Sequence, residues 1–367
     1  MTERTARITS PVGPRALVDG REVDYFCGTS YFSLHSHPDV IAAACAATRL
    51  YGVATATALQ SPAHVELEDE LCLFLGTETV VHVASGYLAP LALLQGLAGR
   101  YDIAFADSAA HYGVFDGLRA VEREAIAFRH LDADDLKHQL RSHVRPGQRP
   151  LVLTDGVFPS TGALAPLPQY ATLLAEYAGG LLFVDDAHAF GVIGETGNGS
   201  LEYHGVERAA AAACGTLSKA FGGGGGFVPG DRALRAAIEK HSRVPLGASA
   251  PSVPIAAASA AGARILREHP EMRAQLWANA RFAREELRSL GFDLEMSPIP
   301  IVSLAGRPGV DLRRVHAALA ADGIAVLYVP PRGYSDAPDV ESLRIAIFST
   351  HTRDQIARLT DAVRRAL

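Results

Sequence analysis

Five short apolar runs, Val80 to Val83, Ile103 to Ala106, Ala125 to Phe128, Leu151 to Leu153 and Leu181 to Val184, constrain the fold of this chain more than any other feature. Each has strand length, and most are separated by stretches of helical periodicity. They predict strands covered on both faces in a largely parallel sheet, an α/β architecture. One intervening helix is legible residue by residue: Ser61 is a good N-cap, Pro62 suits the first turn, Leu67, Leu71, Phe74 and Leu75 fall on one face, and Gly76 supplies the stop. Its acidic residues Glu66, Asp69 and Glu70 are expected to face water or a partner.

The character changes near residue 250. Pro245 to Pro254 is a proline- and serine-containing crossing, followed by an alanine-rich helix and a long helix from Glu271 to Leu290. Beyond these, Ile301 to Leu304, Ile324 to Leu327 and Leu343 to Ile347 read as strands, and Asp311 to Ala321 and Arg353 to Leu367 as helices on one face. The expected division is an N-terminal segment 1–45, a large domain 46–250 and a small α+β domain 251–367. With 367 residues, 48% of them hydrophobic, the chain can fill two cores.

Composition removes several classes of function. The formal charge of −6 is spread over both signs, with no basic stripe for nucleic acid. No apolar run has the length of a membrane span and no leader is visible, so the cytoplasm is the expected location. Cys27, Cys45, Cys72 and Cys214 are far apart and form neither a disulfide framework nor a metal pair, and no histidine motif suggests a metal. The glycines from Gly222 to Gly226 follow a lysine instead of preceding one, which argues against a nucleotide-binding loop.

Two segments carry chemistry. Leu181-Leu-Phe-Val-Asp-Asp-Ala-His188 is an apolar strand that delivers Asp185 and His188 at its end, and Gly215-Thr-Leu-Ser-Lys219-Ala-Phe-Gly222 delivers one lysine among hydroxyls and glycines. This set suits pyridoxal phosphate. An aldehyde cofactor needs an amine as tether, and an apolar setting favours the deprotonated lysine. A carboxylate such as Asp185 would keep the pyridine nitrogen protonated, His188 would meet the phenolic oxygen, and Thr216 and Ser218 offer hydroxyls to the phosphate.

Asp185-Asp-Ala-His188 together with Thr216-Leu-Ser-Lys219 resembles the α-oxoamine synthase family of fold-type I pyridoxal-phosphate enzymes, and the similarity runs from about residue 25 to the C-terminus. The resemblance implies an aspartate aminotransferase-like fold, with a large domain built on a mostly parallel covered sheet and a smaller C-terminal α+β domain. Within it, Ala84-Ser-Gly-Tyr-Leu-Ala89 is similar to the phosphate-cradling turn, which assigns Gly86 and Tyr87 to the phosphate. His111, in Asp107-Ser-Ala-Ala-His111, is then the residue stacked on the pyridine ring. Thr154 to Leu167 resembles a segment lining the cofactor edge. Arg344, in Ser342-Leu-Arg-Ile-Ala-Ile, would grip the carboxylate of an amino-acid substrate.

The implied reaction joins an amino acid to an acyl thioester, of CoA or of a carrier protein, and releases carbon dioxide to leave an α-aminoketone. Lys219 would move the α-proton, and His111 would assist it. The resemblance also implies a homodimer, in which Ser249 would reach the phosphate of the neighbouring subunit. Departures are visible. Ser30, a second candidate for substrate binding, stands where an asparagine is common in the family, and Pro159 replaces a hydroxyl residue. Val53 to Ala58 lacks the family's Gly-Gly-Ser-Arg-like stretch, and Ala54, Ala56 and Ala58 there are as suited to packing as to an acyl group. Lys219, Asp185 and His188 serve other reactions of the fold equally well, namely transamination, retro-aldol cleavage and racemisation. A non-catalytic partner subunit is a further alternative.

Overall fold

The computed structural model describes residues 6–55 and 59–367, so Ala56 and Ala58 lie outside the described residues. The strands described are β1 (Arg15–Val18), β2 (Arg21–Tyr25), β3 (Thr79–Val83), β4 (Ile103–Asp107), β5 (Ala125–Phe128), β6 (Pro150–Asp155), β7 (Leu181–Asp185), β8 (Ala211–Thr216), β9 (Gly226–Gly230), β10 (Ile301–Ala305), β11 (Ile324–Ala325), β12 (Leu327–Val329) and β13 (Ser342–Ala346). Chain contacts separate two compact units. The larger comprises Asp39–Phe158 and Ala163–Glu268; the smaller comprises the described residues up to Pro38, Pro159–Gly162 and His269–Leu367.

In the larger unit, the described strands form one seven-stranded sheet in the order β3-β9-β8-β7-β6-β4-β5. The β5/β4, β4/β6, β6/β7 and β7/β8 pairs are parallel, while β9 is antiparallel to β3 and to β8. All five predicted strands are present, and every residue of β6 and β7 is buried, as a sheet covered on both faces requires. Leu151 and Phe183 of the sheet share a core with Leu93 and Leu94, Val114 and Ile238, which come from the helices Ala89–Gly96, Tyr112–Ala120 and Arg232–His241.

The predicted helix spans Pro62–Leu75. Ser61 N donates to His64 Nδ1 at 3.2 Å at its start, and Gly76 ends it in the left-handed region at φ 58°. Leu67 and Leu71 are fully buried. Glu66 and Asp69 are exposed, but Glu70 is buried and takes Arg264 Nε at 2.8 Å and Arg267 Nη2 at 3.2 Å. Both arginines belong to the alanine-rich helix Val253–Glu268, which packs on Pro62–Leu75 within the larger unit. Its small side chains permit that close approach.

In the smaller unit β13 lies between β10 and β12, antiparallel to both, and β2 pairs antiparallel with β1 and parallel with β11. The predicted strand Ile324 to Leu327 is broken at Val326, because the residues before it pair with β2 and those after it with β13. Leu304 and Ile345 share a core with Leu287, Leu319 and Leu359, from the helices Glu271–Ser289, Leu312–Ala321 and Arg353–Ala366. Arg284 is buried there against the carbonyls of Glu295, Ile299 and Ile301, at 3.1, 2.5 and 2.8 Å, and burial lowers its pKa to about 10.

Candidate active site

The carboxyl ends of parallel strands are where an α/β sheet leaves a crevice. Here the ends of β6, β7 and β8, with the turns after β3 and β4, surround a cavity of about 150 Å³ lined by Ser85, Gly86, Tyr87, His111, Asp155, Val157, Asp185, Ala187, His188, Thr216, Ser218 and Lys219. All of the expected residues of the larger unit except Ser249 are in this set. Ser249 is exposed and does not line it. Ser30 and Arg344 belong to the smaller unit. Ser30 Oγ lies 2.6 Å from His35 Nδ1, and Arg344 donates from Nε to the Pro159 carbonyl at 2.6 Å and from Nη1 to that of Gly28 at 3.1 Å.

Asp185 ends β7 directly opposite Asp155, which ends β6. Its Oδ1 accepts Ala187 N at 3.1 Å, and burial drives its pKa up, against the opposing charges of His111 and Lys219. A carboxylate so placed calls for a cation beside it. Its neighbour Asp186 is fully buried and accepts Ser200 Oγ at 2.5 Å and Ser200 N at 2.8 Å; burial still lifts it to about 7, with Asp185 adding to the rise.

His111 caps the helix Tyr112–Ala120. Its Nδ1 accepts Gly113 N at 3.1 Å, so in the neutral ring the proton sits on Nε2, and its own amide donates to Asp155 Oδ1 at 3.0 Å. The Tyr87 ring meets His111 edge-on at 6.0 Å, and its hydroxyl is held by Asp116. Gly86 must lack a side chain, because a Cβ there would lie 2.5 Å from Thr216 Oγ1. Thr216 Oγ1 lies 2.8 Å from Ser218 Oγ, so the two hydroxyls form one polar edge beside Lys219. The glycines after Lys219 allow close packing on other protein groups: a Cβ at Gly223 would fall 2.0 Å from Ser259 Oγ.

Two polar lining residues were not assigned a role from the sequence. Asp155 repeats the pattern of Asp185, an acid at the end of an apolar strand, and it lies in the stretch Thr154 to Leu167 that resembles a lining of the cofactor edge. Ser85 gave no separate signal; it caps the turn Gly86–Leu88 by accepting Tyr87 N at 3.2 Å. Among the described residues no cluster of His, Cys, Asp or Glu could hold a metal ion, and no helix is long and apolar enough to cross a membrane.

The profile of the aminotransferase class I and II family matches residues 29–363. The chain belongs to that family. Similar proteins place it in the α-oxoamine synthase branch. It is 32% identical to an 8-amino-7-oxononanoate synthase of Coprothermobacter proteolyticus, over 95% of this chain and 89% of that one. It is 35% identical to the enzyme of that name in Thioalkalivibrio sulfidiphilus, over 96% and 91%. Among solved structures, a serine palmitoyltransferase of Sphingomonas wittichii superposes with a TM-score of 0.90 at 26% identity, over 99% of this chain and 92% of that one. Another serine palmitoyltransferase, described with pyridoxal phosphate as its internal aldimine, superposes with a TM-score of 0.90 at 27% identity, over 98% and 92%. The α-oxoamine synthase branch thus unites this chain's fold-type I architecture with the strand-end acids and lysine of its cavity.

Proposed function

We infer that the chain is a pyridoxal-phosphate-dependent α-oxoamine synthase, which condenses an amino acid with an acyl thioester, with decarboxylation, to an α-aminoketone. The observation that carries this reading is the pairing of buried Asp185 with Lys219, His111 and the Thr216–Ser218 hydroxyls in one cavity of a chain whose near-full-length relatives are 8-amino-7-oxononanoate synthases. The donor set fits the cofactor: a buried acid whose pKa is pushed up wants a protonated ring nitrogen, and hydroxyls beside a helix-leading turn want a phosphate.

When bound, pyridoxal phosphate supplies a conjugated aldehyde that draws the electron pair away from the α-carbon of an amino acid. Each residue then has a task. Lys219 tethers the aldehyde and, once displaced, carries the α-proton on Nζ. Asp185 holds the proton on the ring nitrogen, His188 meets the phenolic oxygen, and Gly86, Tyr87, Thr216 and Ser218 take the phosphate. His111 covers the ring face and assists the movement of the proton. Arg344 binds the substrate carboxylate, with Ser30 as a second polar contact. Every cavity-lining residue falls in the middle one of the segments 1–45, 46–250 and 251–367 expected from the sequence, although the helix Val253–Glu268 that follows it packs in the larger unit. A cytoplasmic homodimer, in which Ser249 serves the neighbouring subunit, and an acyl-CoA as thioester complete the reading.

The test mixes holoenzyme with an amino-acid panel and acyl-CoAs of several chain lengths, and follows free thiol. Amino-acid-dependent thiol release is expected. Keto-acid formation that needs no thioester would replace the synthase with an aminotransferase.

A further inference from the structure

The connection between β12 and β13 faces solvent at Arg332, Gly333, Tyr334, Asp339 and Val340, yet Asp336 within it is only 5% exposed. Burying a carboxylate while a tyrosine and a valine stay outside is unfavourable unless donors hold it. They do. Ser160 N reaches both of its oxygens, at 3.0 and 2.9 Å, and Thr161 N and Oγ1 each reach Oδ2 at 2.9 Å.

The segment so gripped is the one that meets Arg344, 5% exposed on β13. Pro159, next to Ser160, gives its carbonyl to Arg344 Nε at 2.6 Å. At the other end, Gly162 sits at φ +73° with its Cβ position 2.4 Å from the Ile301 carbonyl on β10, so no larger residue fits and the segment has little room to shift. Gly28 takes Arg344 Nη1 at 3.1 Å, and Tyr31 accepts a further hydrogen bond from the same guanidinium. A guanidinium has five N–H donors. Three are engaged by neutral oxygens, which leaves donor capacity for a carboxylate.

We propose that Asp336 is a positioning residue for amino-acid recognition: by clamping Ser160 and Thr161 it holds the Pro159 carbonyl on Arg344 Nε and so fixes the plane of the guanidinium. This rests on the reading of Arg344 as the partner of the substrate carboxylate and adds the group that orients it. Selectivity for an amino acid is then set partly from a loop that touches no substrate.

The experiment uses holoenzyme of the wild type, Asp336→Ala, Asp336→Asn and Arg344→Ala. Each is titrated with the best-binding of glycine, L-alanine and L-serine, and the bound cofactor's absorbance gives Kd; thiol release with a saturated acyl-CoA gives kcat and both KM values. Asp336→Ala is expected to raise amino-acid Kd and KM ~10-fold while acyl-CoA KM and kcat at saturation stay within about twofold. Asp336→Asn keeps one acceptor oxygen for the segment and recovers most of the affinity. Unchanged amino-acid affinity in Asp336→Ala, or an equal rise in both KM values, overturns the proposal if Arg344→Ala does lose amino-acid affinity. If Arg344→Ala keeps it, the carboxylate reading itself falls. Should Asp336→Ala not fold, Thr161→Val, which removes one of the bonds, is expected to raise amino-acid KM about threefold with acyl-CoA KM unmoved, and no rise there overturns the proposal.

Discussion

The acids at the end of β7 and those of the smaller unit are treated in opposite ways. In the smaller unit, Asp24 accepts from Gln355 Nε2 at 2.9 Å, from Arg358 and from Arg15 Nε at 3.4 Å, and Asp336 has its four bonds to Ser160 and Thr161. Donors from the chain itself surround these carboxylates. In the larger unit, Asp185 takes one backbone amide and Asp186 the two donors of Ser200, and burial lifts both pKa values. A buried charge that the fold supplies with donors is architecture. One left short of them at a cavity is a place for a ligand to supply the missing charge.

The largest effect expected is at Lys219. Lys219→Ala should lower turnover at least ~10³-fold, and borohydride, which should fix a pyridoxyl group on the wild-type peptide containing residue 219, should leave that peptide unlabelled; labelling elsewhere would move the tether. Asp185→Asn should cost turnover ~10²-fold or more yet leave the cofactor-free protein as heat-stable as the wild type, because it removes a charge that burial opposes. Asp24→Asn, by contrast, strips a satisfied acid and should destabilise by about 1–3 kcal/mol. Equal losses in melting temperature for the two would erase the distinction between the end of β7 and the smaller unit.

The pH dependence sharpens the comparison, because Asp186, just after β7, and His351 of the smaller unit carry shifts of opposite sign. Asp186 is raised from 3.8 to about 7, so the native state binds the extra proton across that window. Its favourable contribution is complete below 3.8 and falls by roughly 1.4 kcal/mol per pH unit as pH rises towards 7. His351 of the smaller unit accepts Phe348 N at 2.8 Å, stacks on Phe26 with 4.1 Å between centroids, and is lowered from 6.5 to about 4 by burial. Its contribution is complete above 6.5 and is lost as pH falls to about 4. Denaturant unfolding of Asp186→Asn and His351→Gln against the wild type should give stability differences that change with pH in opposite directions. The smallest effect is at Ser61, where Ala should cost about 1 kcal/mol and leave KM values alone.

Much of this molecule was legible in local pattern. The five apolar runs became β3 to β7, and the helix from Ser61 to Gly76 starts and stops where its capping residues require. Asp185 and Lys219 stood out because strand ends in a covered sheet leave few other places for a charged side chain. Asp155 stood at such an end too, but its amide bond to His111 joins residues 44 apart, a relation that spacing does not encode.

Periodicity, capping and turn chemistry act between near neighbours, so the sequence by itself determined the α/β class, most of the elements and the strand-end set Asp185, His188, Thr216, Ser218 and Lys219, while Gly86, Tyr87 and His111 came from the family resemblance. Only the tertiary structure decided that residues 253–268 pack back on the larger unit, that Val326 divides a strand between two sheets, and that Asp336 holds a segment 176 positions away. The reason is physical: those outcomes depend on which distant surfaces bury each other and on where a buried polar group finds its partner, and both are properties of the packed chain as a whole.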